Sequence, residues 1–455
     1  MVDVTSLLAC PRCDKQLALQ ENGHYFCGAC KVEFPTQSGM PWLFAEPAAT
    51  LGEWRGRLHF ALQQLTDELA GLERELQRND LQPLTEQRVV RYKAALEEHR
   101  RALIALLQPL DLQALGGRVE SYLALRTRLP VDQGLNTYYA NIHRDWAWGE
   151  AENTASLQQI RSVLGDHSEL GNMLVLGAGA GRLAYDIHTQ LDCATTIVMD
   201  FNPLLMLVAK GVTSGETLEL YEFPIAPKDP GDDAVLRKLK APAPADENFH
   251  LLLGDALRPP FLARSFDTVV TPWLIDIIND DLPALAARIN NLLSADGRWL
   301  NFGSLAFAGP ERARRFSTDE TRAIVASSGF AEPRVHEETI PYMCSPASRH
   351  GRQETVFSFA AAKTADVKKP ERYRALPEWL VTGKEPVPQS PSFRTQAMTT
   401  QVYAFIMSLI DGKRSIRDMA TVLEAKRLMS KEEAEPAIRS FLTKMHDDAE
   451  RQARF

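Results

Sequence analysis

Four of the chain's six cysteines fall in its first 30 residues, as Cys10-Pro11-Arg12-Cys13 and Cys27-Gly28-Ala29-Cys30, with thirteen residues between the pairs. Two such knuckles present four thiolates to one ion, and a tetrahedral sulfur set suits Zn2+. With every coordination position taken by protein, no position is left open for substrate, so the expected zinc is structural. A second group of chemistry-bearing residues begins at Gly177-Ala178-Gly179-Ala180-Gly181-Arg182. Glycines at this spacing let the backbone turn sharply and approach a ligand, and the following helix offers free N–H donors. A dinucleotide fingerprint wants glycine where Arg182 stands, which weakens a pyrophosphate reading. Asp200, ending the next strand candidate, can accept two hydrogen bonds from a ribose diol. Gly254-Asp255-Ala256 follows the strand after that, where Asp255 can hold an adenine amino group, with Ala256 beside it. Asp276 lies just past a further strand candidate.

These residues need a scaffold of alternating strands and helices. From Gly171 to Lys363 such alternation is visible, with strand candidates at Met173–Leu176, Thr195–Met199, Phe249–Leu252, Thr268–Thr271, Arg298–Phe302 and Thr355–Ala360. Ligands of open parallel sheets gather at the carboxyl ends of strands, where the glycine loop, Asp200 and Asp255 all fall. An insertion from Gly211 to Asn248, rich in proline, is too long for a plain connection and reads as a lid or binding element. Upstream, apolar residues at three- and four-residue spacing (Leu58, Leu62, Leu65, Leu69, Leu72) predict a helical hairpin, either packed on the sheet or forming a dimerisation arm. The expected organisation is a ribbon over 1–45, a helical preface over 50–170, the sheet domain over 171–363, a proline-rich linker over 364–395, and a helical segment over 396–455 with a capping box at Ser430 to Glu433.

Lys plus Arg number 51 against 59 Asp plus Glu, a formal charge of −8. That balance speaks against a dominant nucleic-acid role. No apolar run reaches the length of a membrane span, no secretory signal is visible, and clustered cysteines fit a reducing compartment, so a cytoplasmic location is expected.

The glycine loop, then Asp200, then Gly254-Asp255 resembles class I S-adenosylmethionine-dependent methyltransferases. The ribbon, from Leu8-Ala9-Cys10 through Gly39-Met40-Pro41-Trp42-Leu43, is similar to zinc ribbons of rRNA and tRNA methyltransferases, where the ribbon supports the fold or helps bind substrate. Arg144-Asp145-Trp146, Gly149, Glu152, the stretch Glu222-Phe223-Pro224-Ile225-Ala226-Pro227, Asp267 to Asp276 and Trp299-Leu300-Asn301-Phe302-Gly303 together resemble the carnosine N-methyltransferase family. That resemblance implies an α/β, Rossmann-like fold with a seven-stranded, mostly parallel sheet, and methyl transfer to nitrogen. It implies cofactor contacts from Arg144, and from Asn141 where the family has glutamine, beside Gly177, Gly179, Gly181, Asp200, Asp255 and Ala256. It also implies an acceptor contact from Asp276. Two departures point to an acceptor other than carnosine: Phe307-Ala308 replaces the family's Tyr-His, and a substrate tyrosine near the last strand is replaced around Gln353, with Tyr342 as a compensating aromatic.

Methyl transfer asks the protein to position an acceptor lone pair and exclude water, and a nearby carboxylate can take or orient the acceptor's proton. Asp276 is the candidate for that role, against the alternative of a helix N-terminal residue. Trp273 and Phe307 are candidates for the acceptor wall, or for plain packing. Arg144 reads equally as a structural ion-pair partner. His143 and His350 are weak acid–base candidates that read more readily as surface residues. The segment Ile410 to Arg417 faintly resembles winged-helix peptide chaperones, and a plain helical cap is the alternative. The leading expectation is an N-methyltransferase of a small molecule or peptide. An RNA base methyltransferase and an inert cofactor-binding scaffold are the competing readings.

Overall fold

The computed structural model describes residues 3–112, 138–165, 169–278, 281–307, 311–370 and 386–452. In the ribbon, β1 (Ala18–Leu19), β2 (Tyr25–Cys27) and β3 (Val32–Phe34) make a small antiparallel sheet, and β4 (Thr36–Gln37) pairs antiparallel with β5 (Met40–Leu43). Helices α1 (Pro47–Leu76) and α2 (Pro83–Leu107) form the anticipated hairpin, each opened by a proline whose missing N–H costs nothing in a first turn. Only the start of α1 is buried, through Leu51, Trp54, Leu58 and Ala61. A short α3 (Tyr139–His143) runs through a π-type turn (Arg144–Trp148) into α4 (Glu150–Leu164).

Strands and helices then alternate: β6 (Glu169–Leu176), α5 (Arg182–Gln190), β7 (Asp192–Asp200), α6 (Pro203–Thr213), β8 (Leu218–Glu222), β9 (Val235–Leu239), β10 (Phe249–Gly254), β11 (Phe266–Pro272), α7 (Leu282–Leu292), β12 (Leu293–Gly303), α8 (Thr318–Ser327), β13 (Arg334–Tyr342) and β14 (Arg352–Ala362). Seven of these strands lie side by side in the order β13-β14-β12-β11-β6-β7-β10, and the ribbon's β5 and β4 extend the sheet to nine. The central pairings are parallel, and β14 runs antiparallel between β12 and β13. Their apolar side chains fill two core clusters, and Trp42, Trp54 and Trp299 are fully buried.

The join between ribbon and sheet is backbone to backbone. Trp42 and Leu43 pair parallel with Leu253 and Gly254. The Ala9 N–H donates to the Pro260 carbonyl at 2.8 Å, and the Leu262 N–H to that of Leu7 at 2.9 Å. Residues 1–373 therefore form one compact unit, and 374–455 form another.

The insertion is partly ordered structure and not a plain loop: β8 and β9 form a hairpin, and the segment after β8 ties to the turn between β13 and β14, with Lys228 N–H on Ala347 O at 3.1 Å and Arg349 N–H on Ala226 O at 2.8 Å. The second unit holds α9 (Pro391–Ser408), α10 (Ile416–Ala425) and α11 (Lys431–Gln452) around Ile406, Leu409, Met419, Leu423 and Ile438. Ser430 and Glu433 make the anticipated reciprocal cap, and no strand occurs among this unit's described residues.

Candidate functional site

The two cysteine knuckles fold alike. In each, the second cysteine's carbonyl-side neighbour turns into the left-handed region, Asp14 at φ 62° and Lys31 at φ 55°. In each, a backbone N–H also points at the leading sulfur, from Arg12 to Cys10 and from Cys30 to Cys27, both at 3.4 Å. The four sulfurs lie within 4.8 Å of one another, with Cys10–Cys30 at 4.0 Å and Cys13–Cys27 at 3.4 Å. A tetrahedron of Zn–S bonds near 2.3 Å needs sulfur separations of about 3.8 Å, so the donor set fits zinc.

The glycine loop leaves β6 and closes on β7, with the Gly177 N–H on Met199 O at 2.9 Å. A Cβ at Gly177 would stand 2.8 Å from Leu274 Cδ1, and the residue sits at φ +69°. Gly179, at φ +60°, faces open space: nothing lies within 4 Å of a Cβ built there. That opening is the wall of a cavity of about 310 Å3 at the strand ends. Gly181 is different, since it lets α5 pack against Ala209 and does not line the cavity. Arg182, in the place of a dinucleotide glycine, is spent on structure. It bonds Asp186 at 2.9 Å, the Asp145 carbonyl at 2.8 Å and Glu150 at 3.0 Å.

At one end of the cavity, Asp200 is buried (5% exposed) and accepts N–H bonds from Gly179 and Asn202, each at 2.8 Å. Burial raises its carboxyl to about 6 in spite of those donors. Gly254 and Ala256 also line the wall. Asp255 does not: its carboxylate accepts from the Leu257 N–H at 2.9 Å and shapes the turn. Asn141 and Arg144 do line the cavity. Arg144 is held by Asp145 at 2.7 Å and Glu152 at 3.2 Å, while the other Glu152 oxygen accepts the Met343 N–H at 2.9 Å. It is thus both a wall residue and a structural ion-pair partner.

At the other end stand Trp273, Asp276, Phe302, Ser304 and Tyr342. Trp273 has φ +50°, a strained value for a bulky residue, and a Cβ on Gly303 would come within 2.9 Å of its backbone. The Asp276 carboxylate accepts from Ser304 Oγ and, at 3.1 Å, from the Ala306 N–H, both on Oδ2. Burial raises its proton affinity, and these donors only partly oppose that. The Tyr342 ring lies 4.8 Å from Trp273 and under Arg352, whose Cζ is 4.4 Å from the ring centroid. Phe307 packs edge-on against Phe316 at 5.4 Å and lies outside the cavity wall. His143 is fully buried beside Tyr139, not on the surface, and its pKa is held near 3 chiefly by burial. His350 is exposed in the β13–β14 turn.

Sequence reasoning missed Tyr138, Ser304 and Arg352 as wall residues. Ser304, a polar residue directly after a buried strand, is the one that pattern could have flagged.

A parallel sheet with a glycine-lined cavity at its strand ends and an acid closing the second strand is the geometry of a nucleoside-cofactor site, and the family match makes the protein an S-adenosylmethionine-dependent methyltransferase. The open cradle at Gly179 and the buried acceptor Asp200 fit that cofactor. The family model described as carnosine N-methyltransferase matches residues 132–364, just over half of the chain, and the chain belongs to that family. No curated protein matches the chain. Among solved structures, the YcgJ protein of Bacillus subtilis is 15% identical, with 47% of this chain and 99% of that one covered at a TM-score of 0.33. Phosphoethanolamine N-methyltransferase 2 of Haemonchus contortus, bound to phosphomonomethylethanolamine and S-adenosylhomocysteine, is 15% identical over 50% of this chain and 58% of that one, at 0.32. A possible histamine N-methyltransferase of Thermotoga maritima is 15% identical over 49% and 92%, at 0.29. No helix among the described residues is long and apolar enough to cross a membrane.

Proposed function

We propose that this enzyme methylates a nitrogen of a small-molecule or short-peptide acceptor other than carnosine, in the cytoplasm, where four zinc-binding thiolates stay reduced. The observation that carries the reading is one cavity with a buried carboxylate at each end: Asp200 beside the glycine cradle, and Asp276 beside Trp273 and Tyr342. When bound, S-adenosylmethionine supplies an electrophilic methyl group on a sulfonium that departs as a neutral thioether. Gly177 and Gly179 let the backbone approach the cofactor, Asp200 accepts from its ribose hydroxyls, and Asn141, Arg144 and Ala256 complete the wall around it. Asp276 accepts the proton leaving the acceptor nitrogen, and its raised proton affinity suits a base better than an exposed aspartate would. Trp273 and Tyr342 exclude water and fix the acceptor's plane.

The test is incubation with methyl-labelled cofactor and a cell extract, sorting label into small molecules, peptides and RNA. Label in N-methylated small molecules or peptides, lost with Asp276→Asn, is the expected result. Label confined to RNA, or no transfer by a protein that binds the cofactor, would sink the reading.

A further inference from the structure

The fold treats the two oxygens of Asp276 differently. Oδ2 accepts from both Ser304 Oγ and the Ala306 N–H, whereas no other residue donates to Oδ1 among the described residues, although the carboxylate lines the cavity. Both donors lie on the loop after β12, and Asp276 lies on the loop after β11. The frame that brings these loops together is backbone. Pro272 pairs with Phe302 in register, and the Trp273 N–H donates to Phe302 O at 2.6 Å. The loops are therefore neighbours without help from the serine side chain. Of the two donors only the hydroxyl depends on residue type, since any residue but proline at 306 supplies an N–H. Ser304 is buried, its side chain makes no other hydrogen bond among the described residues, and its hydroxyl proton is used on Asp276. A carboxylate held by a single donor still swings about its Cβ–Cγ bond, a broad torsion, and two donors converging on one oxygen fix its plane.

Resting on the reading of Asp276 as the base, we propose that Ser304 is a positioning residue for methyl transfer: its hydroxyl locks Asp276 through Oδ2, so that Oδ1 is presented to the proton of the acceptor nitrogen. The nitrogen's lone pair forms the new N–C bond, the C–S electron pair leaves with the thioether, and the nitrogen's proton passes to Oδ1. The same hydroxyl favours the ionised carboxylate that must be present beforehand, opposing the burial that raises its proton affinity. Among the other charged and titratable groups of the cavity, Arg144 and Arg352 pair with other carboxylates, Asp200 lies at the far end, and Tyr138 and Tyr342 are phenols that burial keeps protonated. The two donors on Oδ2 are therefore what steady the Asp276 charge.

The experiment compares wild type, Ser304→Ala, Ser304→Thr and Asp276→Asn. At saturating methyl-labelled S-adenosylmethionine, initial rates of label transfer into the small-molecule and peptide fraction of one cell extract are measured across pH and across dilutions of that extract. In parallel, each protein is labelled with carbon-13 aspartate and titrated by NMR, the Asp276 carboxyl resonance being the one missing from Asp276→Asn. Cofactor affinity, by calorimetry, is the control for folding. Ser304→Ala should raise the Asp276 titration midpoint by about one pH unit, the size of one lost bond to a charged group, and the acid limb of the transfer rate should move up with it. Above that limb the rate at saturating extract should fall about tenfold, as a misaligned base requires, while the half-saturating extract concentration stays within about twofold. Ser304→Thr, which keeps the hydroxyl, should restore the midpoint. A midpoint and acid limb in Ser304→Ala that coincide with those of wild type would overturn the inference. So would a loss carried by the half-saturating concentration alone, which would make Ser304 a substrate contact. Transfer by Asp276→Asn at the wild-type rate would overturn the reading of Asp276 as base, a failure distinguishable from the other two.

Discussion

The two ends of the cavity are built by different means. At the Asp200 end the main chain sets the shape of the wall, through positive-φ glycines, the Gly179 N–H on the Asp200 carboxylate, and strands whose register is set by parallel neighbours, with side chains such as Asn141 completing it. At the Asp276 end the wall is side chains from three separated places, the loop after β11, the start of the loop after β12, and the β13–β14 hairpin. Main-chain geometry tolerates few residue types, so the first end suits a constant ligand such as a cofactor. Side chains can be exchanged without moving the sheet, so the second end suits a variable acceptor. If this division is correct, substitutions at the two ends should separate kinetically.

The largest effect expected is at Asp276. Asp276→Asn keeps the shape and the Ser304 contact but removes the base, and kcat should fall about 10²- to 10⁴-fold, the usual range for a lost general base. Cofactor affinity, read by calorimetry, should stay within about twofold. A comparable loss of cofactor affinity would break the comparison at once.

Asp200→Ala should do the reverse. Losing charge-assisted bonds of about 1.5–3 kcal/mol predicts roughly a 10- to 100-fold weaker cofactor Kd. Turnover at saturating cofactor should change less. The same residue gives a pH dependence. With its carboxyl raised to about 6, Asp200 is ionised at neutral pH and takes up a proton as pH falls through about 6, losing acceptor capacity for a diol. Cofactor affinity should therefore weaken below that pH in wild type, and this acid limb should disappear in Asp200→Ala.

The same contrast explains what was legible in the sequence. The glycine loop and Asp200 could be read because only glycine suits those backbone positions and the acid must end a strand. Strands β6, β7, β10, β11, β12 and β14 announced themselves by apolar runs, within a few residues of their ends. Strand β13 did not. Its sequence Arg-Val-His-Glu-Glu-Thr-Ile-Pro-Tyr lies at the sheet edge, with Ile340 as its one fully buried residue, so it lacks the apolar alternation that marks a strand. Missing β13 hid the register that sets Tyr342 against Arg352, and with it the charged rim of the acceptor end. Asp255, at another strand end, uses its carboxylate on the Leu257 N–H of its own turn, a local role that residue type alone does not announce. Nor could one sequence reveal that β5 of the ribbon pairs with β10, because a parallel pairing between segments so far apart leaves no local pattern.

That pairing yields a smaller prediction. The ribbon borders the strand ending in Gly254, so zinc removal by a chelator, or Cys27→Ser, should lower the melting temperature and weaken cofactor binding several-fold, with metal content falling in step. Loss of zinc with both quantities unchanged would mean that the β5–β10 pairing holds without the metal.

The smallest effect is expected from deleting residues 374–455. They form a unit with its own core, Ile406, Leu409, Met419, Leu423 and Ile438, whereas every residue lining the cavity belongs to the unit spanning 1–373. A protein ending at 373 should keep the wild-type cofactor Kd and the melting transition of the larger unit, since no side chain of either cavity end is removed. A small-molecule acceptor needs only the cavity, so its kcat/KM should also persist in the truncated protein. A weaker cofactor Kd on truncation would break the assignment of the constant end to residues 1–373.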